Sequence, residues 1–294
     1  MNLNNNKRDA HSFAFFGTSH FSVLVLDALE RKGFVPTVVI TQPDKPKGRN
    51  LILTAPEVKI WADARKIRTL QYSTLKNPET VSAIEKENCA FFVVASYGKI
   101  IPKTILDVPK YGTLNVHPSL LPKYRGASPI QSAILSGDTK TGVTIILLDE
   151  LMDHGPILAQ KIADFSQWPV RYEEAETVLA HTGADMLAEI IPQLPTDTIT
   201  KTTQNESEAT FCKKIEKEDG KVDISNDSPE LIYRKLLAFA VWPGVYFETP
   251  RNGKMIRIII KKYSYSDNIL KIETVLPEGK KEMKYEDFLR GQKN

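Results

Sequence analysis

Cysteine is scarce in this chain: Cys89 and Cys212 are the only two. Two distant thiols make neither a disulfide framework nor a zinc-ligand pattern, so a reducing, cytoplasmic setting is expected. Long apolar runs are missing as well. No stretch approaches the roughly 20 apolar residues that span a bilayer, which sets aside a membrane role. The polar, asparagine-rich start from Met1 to His11 lacks the apolar centre of a signal peptide and the arginines of a transit peptide. A frayed leader before the first strand is expected there. Neither H-E-x-x-H nor H-x-x-E-H occurs, so no metal centre is expected. The turn Gly17-Thr18-Ser19-His20 holds a single glycine, which is too few for the G-x-G-x-x-G dinucleotide fingerprint. Internal repeats and low-complexity tracts are absent. A large charge excess is lacking too: the net is +3, so the molecule as a whole is not a strong polyanion binder.

What is present suits two domains, because 294 residues exceed the usual size of one, and 41% hydrophobic residues can fill two cores. Short apolar runs alternate with helical patterns over the first two thirds. Ser12 to Phe16, Val35 to Thr41, Ala90 to Ala95, Thr113 to His117 and Val143 to Leu148 read as strands. Helical patterns cover Phe21 to Arg31 and Glu173 to Ile191. Strands alternating with helices predict an α/β fold with a mostly parallel, Rossmann-like sheet. Pro192 and Pro195 then break the pattern, and the polar stretch Thr196 to Thr210 reads as a linker. Beyond it, one helix near Ser228 to Ala240 and strands at Met255 to Tyr265 and Asn268 to Val275 predict a small β-rich domain. The expected boundaries are 1–195, 196–210 and 211–294.

Charge is unevenly spread. Eleven Lys or Arg face six Asp or Glu between Pro250 and Asn294, and Lys45, Lys47 and Arg49 crowd one loop. Either stretch could meet phosphate, and either could be an ordinary solvated surface. In a strand, residues two apart point the same way, so Asn115 and His117 share a face and Val116 turns from it. An amide and an imidazole then lie together at a strand exit, where open α/β sheets carry their sites. Ser119-Leu120-Leu121-Pro122 follows and suits either a plain loop or the wall of a pocket for a flat ligand. Further on, Asp149, Glu150, Asp153 and His154 are each able to act as acid or base, and spacing alone does not choose among them.

Taken in order, several segments resemble one family, the folate-dependent methionyl-tRNA formyltransferases. They are Phe15-Phe16-Gly17-Thr18, the run from Thr41 to Arg49, the run from Ala95 to Pro102, the run from Asn115 to Gly126, Thr141-Gly142-Val143-Thr144, and Asp153-His154-Gly155. Weaker echoes follow at Phe211 to Ile215, at Trp242-Pro243-Gly244, a signature shared with sugar formyltransferases, and at Pro277 to Met283. The resemblance implies a Rossmann-like formyltransferase domain followed by an OB-like domain, here shortened between Tyr265 and Leu276. It implies Asn115, His117 and Asp153 as catalytic residues. Ser119, Leu120, Leu121 and Pro122, with Tyr97, Gly98 and Ile100, are implied as the folate-binding set. It implies Lys45, Lys47 and Arg49 as contacts to the tRNA acceptor end. The implied co-substrate is 10-formyltetrahydrofolate with no metal, the implied partners are initiator methionyl-tRNA and tetrahydrofolate, and a monomer is expected. An amino-sugar-nucleotide formyltransferase with the same centre, and an inert folate- or RNA-binding module, stand as alternatives.

Overall fold

An apolar run with no polar alternation leaves neither face of a strand fit for water, so it belongs in the middle of a sheet covered on both sides. Phe91–Ala95 is such a run, and it is wholly buried. In the computed structural model, which describes residues 11–48, 51–196, 198–251 and 253–291, it is one of seven strands: β1 Phe13–Gly17, β2 Val38–Thr41, β3 Arg68–Gln71, β4 Phe91–Ala95, β5 Thr113–His117, β6 Gly142–Leu147 and β7 Ile157–Ile162. Their order is β3-β2-β1-β4-β5-β6-β7. The first five run parallel; β6 is antiparallel to β5 and β7 to β6. The strand order switches direction between β1 and β4, the kind of point at whose carboxyl ends open α/β sheets place their ligands.

Two compact units are distinguished: Met1–Pro129 with Lys140–Asp164 and Glu176–Phe211, and Ile130–Thr139 with Phe165–Ala175 and Cys212–Asn294. In the first, alternation sorts the strand residues onto two faces. Ala14, Phe16, Val38, Ile40, Phe92 and Val94 form one core cluster with Tyr97, Ile101 and Ile105. Phe16 meets Phe92 at 5.2 Å and the edge of Tyr97 at 5.5 Å between ring centroids. Each such side chain contributes roughly 1.5–3 kcal/mol on burial, which fixes the strand ends firmly. A Cβ on Gly183, in the helix Tyr172–Ile190, would lie 2.4 Å from Val116 Cγ1. The helix therefore packs against β5 on the Val116 side and leaves the Asn115 and His117 side for other use.

Two stretches differ from the expected loops. The Lys45 region is a hairpin, with Lys45–Lys47 paired antiparallel to Ile52–Thr54, because Gly48 supplies a positive φ of 73° and β-branched Ile52 and Thr54 suit the return strand. The polar stretch expected as a linker is tied into the first unit. Thr202 and Ile157 exchange backbone hydrogen bonds of 2.8 and 2.9 Å, and Thr210 N–H donates to Pro122 O at 3.2 Å. Backbone groups need partners more than a polar composition needs freedom.

In the second unit, β8 Tyr246–Arg251, β9 Lys254–Ser266, β10 Ile269–Pro277 and β11 Met283–Lys284 form an antiparallel meander. Asp267 and Asn268 join β9 to β10 with φ of 51° and 58°, the two-residue turn that matches strand twist. The short stretch after Tyr265 is thus a tight hairpin.

Candidate active site

Asn115 and His117 leave β5 from one face, and both are buried. The loop after β6 brings Asp153 back to them. Asn115 Nδ2 donates to Asp153 Oδ1 at 3.2 Å, and His117 Nδ1 lies 3.6 Å from that same oxygen. The second oxygen, Oδ2, accepts the Gly126 backbone N–H at 2.8 Å. Of the four ionisable groups in the loop, Asp153 is the one that meets the strand pair. Asp149 is engaged with His154 Nδ1 at 2.6 Å, and Glu150 is exposed.

The imidazole is oriented from its far side. Its Nε2 is 2.9 Å from Tyr124 O, and a carbonyl can only accept, so Nε2 carries a hydrogen. Nδ1 is then the ring atom that faces Asp153, and in the neutral form of the ring it carries the lone pair. Asn115 retains a second amide hydrogen beyond the one it gives Asp153. Asp153 at φ 50°, Tyr124 at φ 61° and Ser96 at φ 49° all occupy the left-handed region. Each costs about 1–3 kcal/mol, a strain that persists only where the surroundings over-determine it.

The 119–122 segment is braced through its backbone. Thr144 Oγ1 donates to Ser119 O at 2.7 Å and accepts from Leu121 N–H at 3.1 Å and Gln160 Nε2 at 2.9 Å. Gln160 Nε2 also donates to Leu121 O at 2.8 Å, and the Leu121–Pro122 bond is cis. Ser119 turns its hydroxyl to Lys123 O at 2.7 Å, and Leu121 is buried, so Leu120 and Pro122 are the half-exposed members. The ring of Tyr97, expected on a pocket wall, lies in the core beside Phe16, because its apolar area gains more there. Burial pushes its hydroxyl up to about 12, and that hydroxyl has no hydrogen-bond partner among the described residues. The Tyr97 carbonyl accepts from Thr18 Oγ1 at 2.9 Å and Gln42 Nε2 at 2.8 Å. Gly98 and Ile100 remain at the surface, Ile100 at 86% exposure.

A family model described as Formyl transferase matches residues 11–194, and one described as Formyl transferase, C-terminal domain, matches residues 214–267. A methionyl-tRNA formyltransferase of Chloroflexus aurantiacus is 43% identical over 249 residues, covering 83% of this chain and 78% of that protein. The chain belongs to the methionyl-tRNA formyltransferase family. Solved structures of like fold include a methionyl-tRNA formyltransferase from Clostridium thermocellum, with TM-score 0.58, 18% identity, and coverage of 90% of this chain and 98% of that one. A sugar N-formyltransferase from a Shewanella species has TM-score 0.62, 18% identity, and coverage of 83% and 94%. The two solved structures, each 18% identical, share the fold and do not choose between their acceptor classes.

In this formyltransferase the hairpin lysine Lys45 is exposed, and its Nζ donates to Gln42 Oε1 at 2.6 Å. Gln42 in turn holds the Tyr97 carbonyl, so the hairpin base and the 97–100 segment share one anchor. Lys47 lies in the first hairpin strand with its side chain outside the described residues, and Arg49 is outside them altogether. Nearby, Lys99 donates to Tyr72 O at 3.0 Å and Ser73 O at 2.7 Å, and burial, with Lys45 beside it, holds its ammonium below the usual lysine range. Tyr124, Gly126, Thr144 and Gln204 support the site without having been marked by pattern. Only the run to Gly126 and the Thr144 segment carried a signal, through the family resemblance. Among the described residues no helix is long and apolar enough to cross a membrane, and no group of three His, Cys, Asp or Glu is placed to hold a metal.

Proposed function

We propose that this formyltransferase moves the formyl group of 10-formyltetrahydrofolate onto the free amino group of initiator methionyl-tRNA, with Asn115, His117 and Asp153 at the reacting atoms. One observation carries the reading: an amide, an imidazole and a carboxylate converge within 3.6 Å at the exit of β5. Family members use folate derivatives. Exposed Ile100 with half-exposed Leu120 and Pro122 offers apolar atoms for a flat ring, and Gly98 offers backbone without a side chain, so the residues fit such a group. When bound, the folate donor supplies an activated formyl carbon.

The chain's own groups do the rest. An amine attacks only when neutral, and it must lose a proton as it bonds. His117 Nδ1 is the ring atom free to take that proton, directly or through water, and Asp153 beside it stabilises the imidazolium so formed. As the bond between the formyl carbon and the folate nitrogen breaks, that imidazolium would hand its proton to the departing nitrogen, so that tetrahydrofolate leaves neutral and His117 is restored. The new Nδ1–H and the second Asn115 N–H are the donors available to the negative formyl oxygen. The Asn115 donor acts strongly because it is held in place before charge develops, and the Nδ1–H joins it as the proton moves. Every residue named comes from one chain, so a monomer suffices, and the cytoplasm is where charged tRNA would meet it. Residues 1–195 would carry the chemistry, with 196–210 as a connecting stretch and 211–294 as the second domain.

The deciding experiment offers methionyl-tRNA and amino-sugar nucleotides side by side with 10-formyltetrahydrofolate. Transfer to methionyl-tRNA is expected; preferential transfer to the sugar would replace this reading with the amino-sugar one.

Two further outcomes are expected. Ile100→Asp should weaken tetrahydrofolate binding about tenfold by calorimetry, since burying an unpaired carboxylate against a flat apolar ring is costly. An unchanged Kd removes Ile100 from the folate site. Joint Lys45→Ala and Lys47→Ala replacement should raise KM for methionyl-tRNA. It should also flatten the salt dependence by about one to two in log–log slope, because each phosphate contact contributes roughly 0.7–0.9. Folate KM should move little, as Gln42 Nε2 still reaches Tyr97 O. An unaltered slope would mean these lysines do not meet phosphate.

A further inference from the structure

Gln204 lies in the polar stretch whose composition suggests only a linker, yet it is buried, at 5% exposure. Its side-chain oxygen accepts from Arg125 Nε at 3.1 Å and Nη2 at 2.8 Å. Its Nε2 donates to Asp153 O at 2.9 Å and to Gly155 O at 2.8 Å. An amide has two donor hydrogens and an oxygen with two lone pairs, so all of its hydrogen-bonding capacity is used. Both donors fall on one turn, at the carbonyl of the left-handed Asp153 and at the carbonyl two residues later.

The same turn is gripped from its other side. Gly126 N–H donates to Asp153 Oδ2 at 2.8 Å, and Gly126 follows Arg125 in the chain. Arg125 thus reaches Asp153 by two routes: its side chain through Gln204 to the main chain, and the next peptide N–H to the carboxylate. The Arg125 side chain is 2% exposed, and it also bonds Glu206 at 2.9 and 2.6 Å. Hydrogen bonding to Arg125 holds the Glu206 carboxyl below its ordinary value, so the guanidinium remains paired. Backbone bonds of the stretch, from Thr202 to Ile157 and from Arg125 N–H to Thr210 O at 2.9 Å, fix where Gln204 stands.

We propose that Gln204 is the positioning residue that locks the Asp153 turn, so that Oδ1 faces Asn115 and His117 while Oδ2 meets Gly126. The role rests on the formyl-transfer reading above. Gln204 touches no reacting atom; it acts through Asp153. A glutamine that only stabilised the domain would lower the melting temperature without selecting kcat over KM.

Gln204→Glu keeps the length and the Arg125 contact but turns two donors into acceptors facing two carbonyls. Gln204→Met removes every polar contact and serves if the first variant folds poorly; thermal unfolding checks both. Turnover with methionyl-tRNA and 10-formyltetrahydrofolate should fall about tenfold to a hundredfold, with both KM values within about twofold, as for misplacement of a catalytic group by an ångström or less. In an Asp153→Ala background the same change should cost less than about twofold more, because residues acting as a unit are non-additive. A normal kcat, or an equal loss in both backgrounds, overturns the proposal. A second readout needs no turnover. The amide resonance of Gly126 should move in both variants as Asp153 Oδ2 leaves it, and an unmoved resonance overturns the proposal whatever the acceptor. If the wild-type chain transfers no formyl group while that resonance still moves, Gln204 positions Asp153 and the functional reading alone is lost.

Discussion

Asp153→Asn should lower kcat by about a hundredfold or more while the chain stays folded. The two side chains have the same shape, so packing is not at issue. The partners of Asp153 decide the outcome. One carboxylate oxygen accepts from Asn115 Nδ2 and the other from Gly126 N–H. An asparagine has one oxygen and one NH2 group, so whichever way it turns, a donor confronts a donor and that edge is pushed away. Charge is lost as well, and with it the anion beside His117 Nδ1 that favours the imidazolium formed as the amine gives up its proton. Asn115→Ala removes an oxyanion donor and one anchor of Asp153 together; His117→Ala removes the proton acceptor. Each should match the Asp153 loss within about tenfold, and the triple variant should be little worse than the weakest single one, because the three act as a unit. Single-turnover formyl transfer at saturating folate separates this chemical step from binding. Near-normal turnover in Asp153→Asn would remove the carboxylate from the mechanism.

How far the site could be read ahead depended on the distance over which its physics acts. Asn115 and His117 were legible because strand alternation is local: two residues apart means one face, and Gly183 against Val116 occupies the other. The buried run of β4 was similarly local, whereas Asn268, expected to open a strand, lies in the tight turn with Asp267. The choice of Asp153 among Asp149, Glu150, Asp153 and His154 was not local. It needs the loop after β6 to double back, and only the family resemblance pointed to it. Tyr97 shows the converse. A tyrosine in a motif suggests a ligand contact, but its ring lies in the core and its carbonyl does the anchoring. The edge strands Arg68–Gln71 and Ile157–Ile162 escaped pattern reading because half-solvated edges mix polar and apolar residues without a clean period. Gln204 is hardest of all, since a lone glutamine among polar residues carries no signal until Arg125 and the Asp153 carbonyl are seen around it.

Gly155→Ala should produce a loss of similar size from a single methyl group. A Cβ at Gly155 would lie 1.8 Å from Leu147 O and 3.0 Å from Leu147 C. These are backbone atoms at the end of β6 and cannot swing aside as a side chain would. The turn is pinned at its exit by Leu147 N–H to Pro156 O at 3.0 Å and on its face by Gln204 Nε2 to Gly155 O at 2.8 Å. Relief therefore requires the turn to back off by about an ångström, and Asp153 lies two residues away on it. Misplacing a catalytic group by that much costs about a hundredfold in rate, and overpacking of this kind destabilises by about 1–3 kcal/mol. Gly33→Ala is the matching control: at φ 85° its added Cβ meets nothing within 4 Å, so it should cost about 1–2 kcal/mol of backbone strain with kcat untouched. Both variants are read by chemical denaturation alongside turnover. The expected pattern is comparable stability loss in the two but a rate loss in Gly155→Ala alone. Equal turnover in both would mean that the close approach of Gly155 to β6 does not set the position of Asp153.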